Sequence, residues 1–116
     1  MKQIFFLLAL MISFTQHAQI SLDKKEFNSL LNKQNIQLLD IRTQVEVNEG
    51  KIPKAIHVDY FSKDFIQQCI TTFNKKEPLL IYCAVGGRSS KAMKELAKVG
   101  FKKVYELKGG FDNWAP

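Results

Sequence analysis

The most constraining stretch of the chain is residues 79–89, Leu-Leu-Ile-Tyr-Cys-Ala-Val-Gly-Gly-Arg-Ser. The four apolar residues before Cys83 predict a buried strand, and Gly86 and Gly87 allow the chain to turn tightly soon after it. Small and apolar residues recur at helical spacing from Ser89 onward, which predicts a helix there. This order places a thiol between the carboxyl end of a strand and the amino end of a helix.

Two properties of this loop favour a reactive cysteine. Backbone N–H groups that a glycine-containing loop turns inward form a binding site for an anion. The positive end of the following helix and the guanidinium of Arg88 are both expected near the sulfur, and both favour the thiolate form of Cys83. Many cysteines at strand ends are simply small buried side chains, but such a cysteine needs neither the glycines nor the adjacent cation.

The length of the loop separates two chemistries. Only the four residues from Ala84 to Gly87 lie between Cys83 and Arg88. Five residues would resemble the phosphate-binding loop of cysteine phosphatases, so phosphatase action is one alternative. We expect the shorter loop to enclose a smaller guest, such as one extra sulfur atom held on Cys83 as a persulfide.

The rest of the chain alternates short apolar runs with amphipathic stretches. We predict strands at 19–22, 36–41, 55–58, 79–82 and 104–107, and helices at 24–33, 44–48, 62–74 and 88–99. Helix-linked strands indicate an α/β fold with a mainly parallel central sheet, helices on both faces and a site at the carboxyl ends of the strands. Near the end of the chain, Gly109-Gly110 is predicted to form a tight turn and Trp114 to cover the core.

Composition excludes several classes of function. A chain of 116 residues with 46% hydrophobic content suits one domain with its own core. The net charge of +6 is spread over separated lysine pairs without interleaved aromatic residues, which argues against a nucleic-acid interface. His57 has no companion ligands in the sequence, so we predict no metal site, and no dinucleotide or phosphate-loop motif indicates an organic cofactor.

The first eighteen residues differ in kind from the rest. A short positive start at residues 1–3 precedes an almost wholly apolar run at 4–14, and 15–18 turn polar toward Ala18. This layout predicts a secretory signal peptide at 1–18, cleaved after Ala18, and a domain at 19–116. The apolar run is too short to span a bilayer comfortably. We therefore expect an exported protein without a stable membrane span, periplasmic if the cell has two membranes.

Three stretches together resemble the single-domain rhodanese family of thiosulfate sulfurtransferases. The first contains residues 38–42 followed by Glu46, Gly50, Ile52, Pro53, Ala55 and Ile56, the second is residues 83–89, and the third is residues 107–114. They lie in the family's order and span nearly everything after residue 20. Lys51 and Lys54 depart from the family, which usually has histidine and glycine there, and we expect these changes to affect only a surface turn.

The resemblance implies a rhodanese-like fold and a two-step sulfur transfer. Cys83 would be the catalytic nucleophile and would carry sulfur from thiosulfate or a related donor to a thiophilic acceptor. The substrate-binding residues would be Ala84, Val85, Gly86, Gly87, Arg88 and Ser89: backbone N–H groups of 84–88 would stabilise the persulfide, Arg88 would orient the loop, and Ser89 would cap the following helix and donate to the sulfur. The alternative is a catalytically idle rhodanese-like module that binds a protein partner.

Two further pairs of residues bear on this interpretation. Asp40 and Arg42 are predicted to form a polar pair at the end of a buried strand, and in the resembling family these positions support the active loop. Cys69 lies on the apolar face of a predicted helix, so we expect it in the core and not in a disulfide with Cys83. A persulfide carrier in an oxidising compartment also implies a thiol or persulfide-carrying protein partner.

Overall fold

The computed structural model describes residues 18–115, and the predicted signal segment, apart from Ala18, lies outside them. Strands and helices alternate along this part of the chain. The strands are β1 (Ala18–Leu22), β2 (Gln37–Asp40), β3 (Ile56–His57), β4 (Leu79–Tyr82) and β5 (Lys103–Leu107). The helices are α1 (Lys24–Leu31), α2 (Gln44–Asn48), α3 (Phe65–Thr72), α4 (Gly87–Lys98) and α5 (Gly110–Trp114).

All five strands pair in parallel, in the order β1-β5-β4-β2-β3. The predicted α/β fold is therefore confirmed, and each described strand pair is parallel. Strand β4 lies at the centre of the sheet and all four of its residues are buried, because side chains on both faces are covered. Its apolar run accordingly lacks the alternation of a strand with one face in water.

The helices cover both faces of the sheet, as predicted. On one face, α3 and α4 contribute to a core whose helical members are Phe65, Cys69, Ala92, Met93 and Leu96. On the other face, α1 and α5 pack against the sheet through Phe27, Leu30, Leu31, Phe111 and Trp114. The interior of the domain thus has two apolar layers separated by the sheet.

The predicted elements differ from the observed ones mainly at their ends. Helix α3 begins at Phe65 and not at residue 62, because residues 59–64 form turns in which Asp59 accepts from the N–H groups of Phe61 and Ser62. Helix α5 was not predicted at all. Its two leading glycines indicated only a turn, and Gly109 and Gly110 do have positive φ angles of 79° and 64°, but a helical turn follows at once.

Candidate active site

Strand β4 brings Cys83 to the carboxyl edge of the sheet, directly before the loop that leads into α4. Cys83 is fully buried. Gly86 is the N-cap residue of α4 and has a φ of 110°, a conformation that side-chain-bearing residues rarely adopt. The glycine therefore allows the chain to reverse within three residues of the cysteine, and the sulfur faces the start of the helix.

The sulfur of Cys83 lies at the amino end of α4 and accepts two backbone hydrogen bonds. The N–H of Gly86 donates at 3.0 Å and that of Ser89 at 3.4 Å. Of the five amides of residues 84–88, only that of Gly86 donates to the sulfur among the described residues, and the stabilisation of a persulfide by this loop stays a prediction. The α4 amides and the helix dipole together form an environment suited to an anionic sulfur.

Ser89 does not cap α4, so that prediction is wrong. The N-cap is Gly86, which offers no side chain, and Ser89 lies inside the first turn. Its hydroxyl accepts the thiol proton of Cys83 at 3.4 Å and is within hydrogen-bond distance of the Gly86 carbonyl at 3.2 Å and of a carboxylate oxygen of Glu106. Ser89 thus donates to the sulfur through its amide, whereas its hydroxyl accepts from the thiol and does not donate to it.

The guanidinium of Arg88 forms a two-pronged ion pair with Glu46 of α2, and among the described residues it makes no hydrogen bond to the sulfur. The two N–O distances are 2.7 and 2.8 Å. The hydrogen bond to Glu46 raises the pKa of Arg88 despite its partial burial, and the charges of Glu46, Cys83 and Asp59 add to this increase. Arg88 therefore lies within electrostatic range of Cys83 and also connects the active loop to α2.

The same ion pair changes the pKa of the carboxyl group of Glu46. The hydrogen bond from Arg88 lowers the pKa of Glu46 to about 2, against the opposing effect of burial and with help from the backbone and hydroxyl of Thr43. Thr43 and Glu46 also form a capping box at the start of α2. We did not select Glu46 as a site residue from the sequence; the Thr-x-x-Glu spacing at residues 43–46 was the available signal that its carboxylate is held in place.

Asp40 and Arg42 form the predicted pair. The guanidinium of Arg42 contacts both carboxylate oxygens of Asp40, at 2.7 and 2.9 Å, and both residues are buried. Tyr82, the residue before the cysteine, donates its hydroxyl proton to Asp40 at 2.7 Å. The Arg42 guanidinium also donates to the carbonyl of Gly50 at 2.7 Å and lies 4.3 Å from the ring centre of Phe111. This network connects β2, β4, the segment after α2, and α5 beneath the active loop.

Helix α5 holds the backbone of the active loop. The N–H of Phe111 donates to the carbonyl of Cys83 at 2.8 Å, and that of Asp112 donates to the carbonyl of Ala84 at 3.0 Å. A Cβ atom on Gly110 would collide with backbone atoms of Cys83 and Ala84. The close approach of α5 to the loop therefore requires glycine at position 110.

Glu106 is a second residue that sequence reasoning missed. It lies on β5, it is only 5% exposed, and its carboxylate contacts the hydroxyls of Ser89 and Ser90 at the start of α4. A carboxylate within the otherwise apolar strand predicted at 104–107 was the available signal, because glutamate is rarely buried without a partner.

Cys69 has the predicted position in the core. It is a free, fully buried thiol on α3, and burial raises its pKa to about 12. Cys83 is likewise free. In the part of the chain that the structure describes, no group of three or more potential ligands could hold a metal ion, and no helix is long and apolar enough to cross a membrane.

The fold and this loop define a class of protein: a small parallel α/β domain that holds one cysteine at the sheet's carboxyl edge, against the first turn of a helix. The model of the rhodanese-like domain family matches residues 23–116. The chain belongs to this family, as its three motifs predicted.

Individual relatives agree with this assignment. Thiosulfate sulfurtransferase GlpE of Coxiella burnetii is 35% identical over 85 residues, which cover 73% of this chain and 77% of that protein. The tRNA uridine(34) hydroxylase of Pelagibacter ubique is 33% identical over 93 residues, but these are 80% of this chain and only 31% of that longer protein. The crystal structure of a rhodanese-like domain protein from Staphylococcus aureus superposes with a TM-score of 0.71 at 33% identity, covering 82% of this chain and 90% of that one.

Proposed function

We propose that this protein is a sulfurtransferase that carries sulfane sulfur as a persulfide on Cys83. The observation that carries the proposal is the position of the sulfur at the amino end of α4, where the N–H groups of Gly86 and Ser89 donate to it. Donors fixed in this way stabilise an anionic sulfur without reorganising during the reaction. The relationship to proteins named thiosulfate sulfurtransferases supports the same chemistry.

The reaction proceeds in two balanced steps. The Cys83 thiolate attacks the outer sulfur of thiosulfate, a new S–S bond forms on the enzyme, and sulfite leaves with the electron pair of the broken S–S bond. A thiophilic acceptor then attacks the outer sulfur of the persulfide and regenerates the thiolate. Cyanide serves as the acceptor in an assay, and a small or protein-borne thiol would serve in the cell.

Access to the sulfur requires a local movement, because Cys83 is fully buried. The Arg88–Glu46 ion pair next to the active loop is partly exposed, with side chains 20% and 29% exposed. An anionic donor can replace the Glu46 carboxylate as the partner of the guanidinium, since both are acceptors of the same two-pronged geometry. We propose that this exchange accompanies donor entry.

The test is thiocyanate formation from thiosulfate and cyanide by the purified protein. We expect Cys83→Ser to abolish it, while Cys69→Ala, which removes the other thiol, retains it. A Cys83→Ser variant that forms thiocyanate at the full rate would refute the assignment of Cys83 as the nucleophile. A folded wild-type protein without sulfur transfer would favour the idle binding module, and turnover of an aryl phosphate would favour a phosphatase.

We also propose that the protein is exported and that residues 1–18 are removed. The basic start and the apolar run of this segment support the proposal. Cleavage after Ala18 would leave residues 19–22 to pair with β5, with the loss of the pairing of Ala18, including its hydrogen bond to the Lys102 carbonyl. Fractionation of cells followed by sequencing of the mature amino terminus tests this, and an intact Met1 in the cytosolic fraction would contradict it.

A further inference from the structure

Glu46 occupies the guanidinium that an anionic sulfur donor would use. Both terminal nitrogens of Arg88 donate to its carboxylate, Nη1 to Oε1 at 2.7 Å and Nη2 to Oε2 at 2.8 Å. Thiosulfate carries its acceptor oxygens on a sulfonate group, and two of these oxygens match the same pair of donors. The ion pair therefore fills the two-pronged face of the guanidinium that a donor needs.

The Glu46 carboxylate is held in this place by its own helix as well as by Arg88. The N–H and the hydroxyl of Thr43 donate to its Oε1 at 2.9 and 3.1 Å, within the capping box of α2. The hydrogen bond from Arg88 lowers the pKa of Glu46 to about 2, so the group is ionised at neutral pH. Glu46 is thus a fixed anion beside Arg88, and its attachment to Thr43 does not depend on the guanidinium.

The charges around Arg88 give an incoming anion little attraction. Although the protein has a net charge of +6, the carboxylates of Glu46 and Asp59 both act on this guanidinium by their charge. Asp59 does so from a distance, because within residues 18–115 it forms no ion pair shorter than 4.0 Å. Two negative charges beside one positive charge repel a dianion such as thiosulfate at short range.

We propose that Glu46 is a built-in competitor of the anionic donor and that it lowers the affinity of the site for thiosulfate. The guanidinium of Arg88 exchanges the Glu46 carboxylate for the sulfonate oxygens of the donor. Arg88 keeps one support during this exchange, because its guanidinium carbon lies 5.9 Å from the ring centre of Phe61. The inference deepens the sulfurtransferase proposed above and rests on it for the identity of the donor.

Calorimetric titration with sodium thiosulfate, at low and constant ionic strength, tests the competition. Every protein in the titration carries Cys83→Ser, which cannot take up sulfur, so the heat reports binding alone. The Arg88–Glu46 pair is partly exposed, and binding to it does not require access to the buried residue 83. Glu46→Gln keeps an oxygen for Thr43 but removes the carboxylate from Arg88. We expect this variant to bind thiosulfate about tenfold more tightly than its Glu46 parent.

Asp59→Asn is the matched control, because it removes a negative charge that acts on Arg88 without occupying the guanidinium. The amide oxygen of asparagine can still accept from the N–H of Phe61, as the Asp59 carboxylate does at 2.8 Å. We expect a gain in affinity of less than about threefold. Arg88→Gln should lose thiosulfate binding, and Glu46→Gln added to it should restore none, because the gain requires the freed guanidinium.

Three results would overturn the competition. An affinity of Glu46→Gln equal to or below that of its parent would mean that Glu46 only holds Arg88 in position. An equal gain from Asp59→Asn and Glu46→Gln would mean that charge alone matters. Absence of thiosulfate binding in every variant would mean that Arg88 is not an anion site.

A second measurement decides if Glu46→Gln does not fold. In the Cys83→Ser protein with Glu46 in place, the nuclear magnetic resonance signal of the Arg88 Nε–H should shift saturably as thiosulfate replaces the carboxylate. A signal that does not move at any thiosulfate concentration would refute the exchange.

The competition and the sulfur transfer can fail separately, because the titration involves no transfer of sulfur. Tighter binding by Glu46→Gln, together with no thiocyanate formation by the protein that retains Cys83, would retain the competitor and refute the sulfurtransferase. An active sulfurtransferase whose Glu46→Gln variant binds thiosulfate no more tightly would do the reverse.

Discussion

Replacement of Gly110 by alanine tests whether helix α5 positions the active loop. Gly110 has a φ of 64°, where alanine costs about 1–2 kcal/mol relative to a right-handed conformation. Its new Cβ would also collide with the backbone of Cys83 and Ala84. Relief of that collision must move α5 away and weaken the two hydrogen bonds that its amides donate to the loop carbonyls, each worth about 1 kcal/mol net. The expected loss in the free energy of unfolding is about 3–4 kcal/mol.

Gly87→Ala is the matched control in the same site. Nothing lies within 4 Å of a Cβ built on Gly87, and this residue is the first of helix α4. Because alanine is the better helix former, we expect no loss of stability and a gain of at most about 1 kcal/mol.

Urea unfolding followed by circular dichroism gives the free energy of unfolding of both variants. The rate of thiocyanate formation, measured without urea at a temperature where the variants are fully folded, gives the effect on sulfur transfer. We expect Gly110→Ala to lose sulfur transfer even where it remains folded, because the carbonyls of Cys83 and Ala84 no longer have fixed partners. A Gly110→Ala protein within about 0.5 kcal/mol of the wild type and fully active would refute the reasoning.

Three further predictions concern single side chains. Glu46→Gln can keep the capping box but not the ion pair with Arg88, so this variant should be less stable than the wild type above pH 4.5. The difference should disappear as the pH falls toward about 2, because the Glu46 carboxyl group stabilises the fold only while it is ionised. Urea unfolding at several pH values measures the difference, and a difference that does not change with pH would contradict the prediction. Lys54→Gly should raise the free energy of unfolding by about 1 kcal/mol, because Lys54 has a φ of 72°, and an unchanged value would show that the turn tolerates lysine without strain. Burial raises the pKa of Cys69 to about 12, so this thiol should resist iodoacetamide in the native protein and react only after unfolding. Peptide mass spectrometry detects the alkylated thiol, and rapid labelling of the native protein would contradict the burial of Cys69.

The position of the cysteine could be predicted because it depends on local signals. The apolar run of β4, the glycine at position 86 and the helical spacing after Ser89 are each short-range features, and the structure places Cys83 between strand and helix as they indicated. Helix α2 was predicted with its observed bounds, and Gly50 follows its end as expected; the structure adds a capping box at its start.

Helix α5, the second helix of the site, could not be predicted from such local signals. A pair of glycines indicates a turn equally well whether or not a helix follows, and α5 is only five residues long, too short for a periodic pattern. What selects the helix is its contact with the active loop, where its amides donate to the carbonyls of Cys83 and Ala84. Those residues lie far away in sequence.

By itself, the sequence determined the order of the five strands and of helices α1 to α4, the parallel sheet, the family, and the position of the cysteine proposed as the nucleophile, because periodicity, glycine placement and motifs act over short stretches. Only the tertiary structure decided what surrounds that residue. The pairing of Arg88 with Glu46 and the approach of Glu106 to Ser89 join residues 42 and 17 positions apart, brought together by the strand order of the sheet. Hydrogen bonds between side chains depend on distances in space, and spacing along the chain does not encode them.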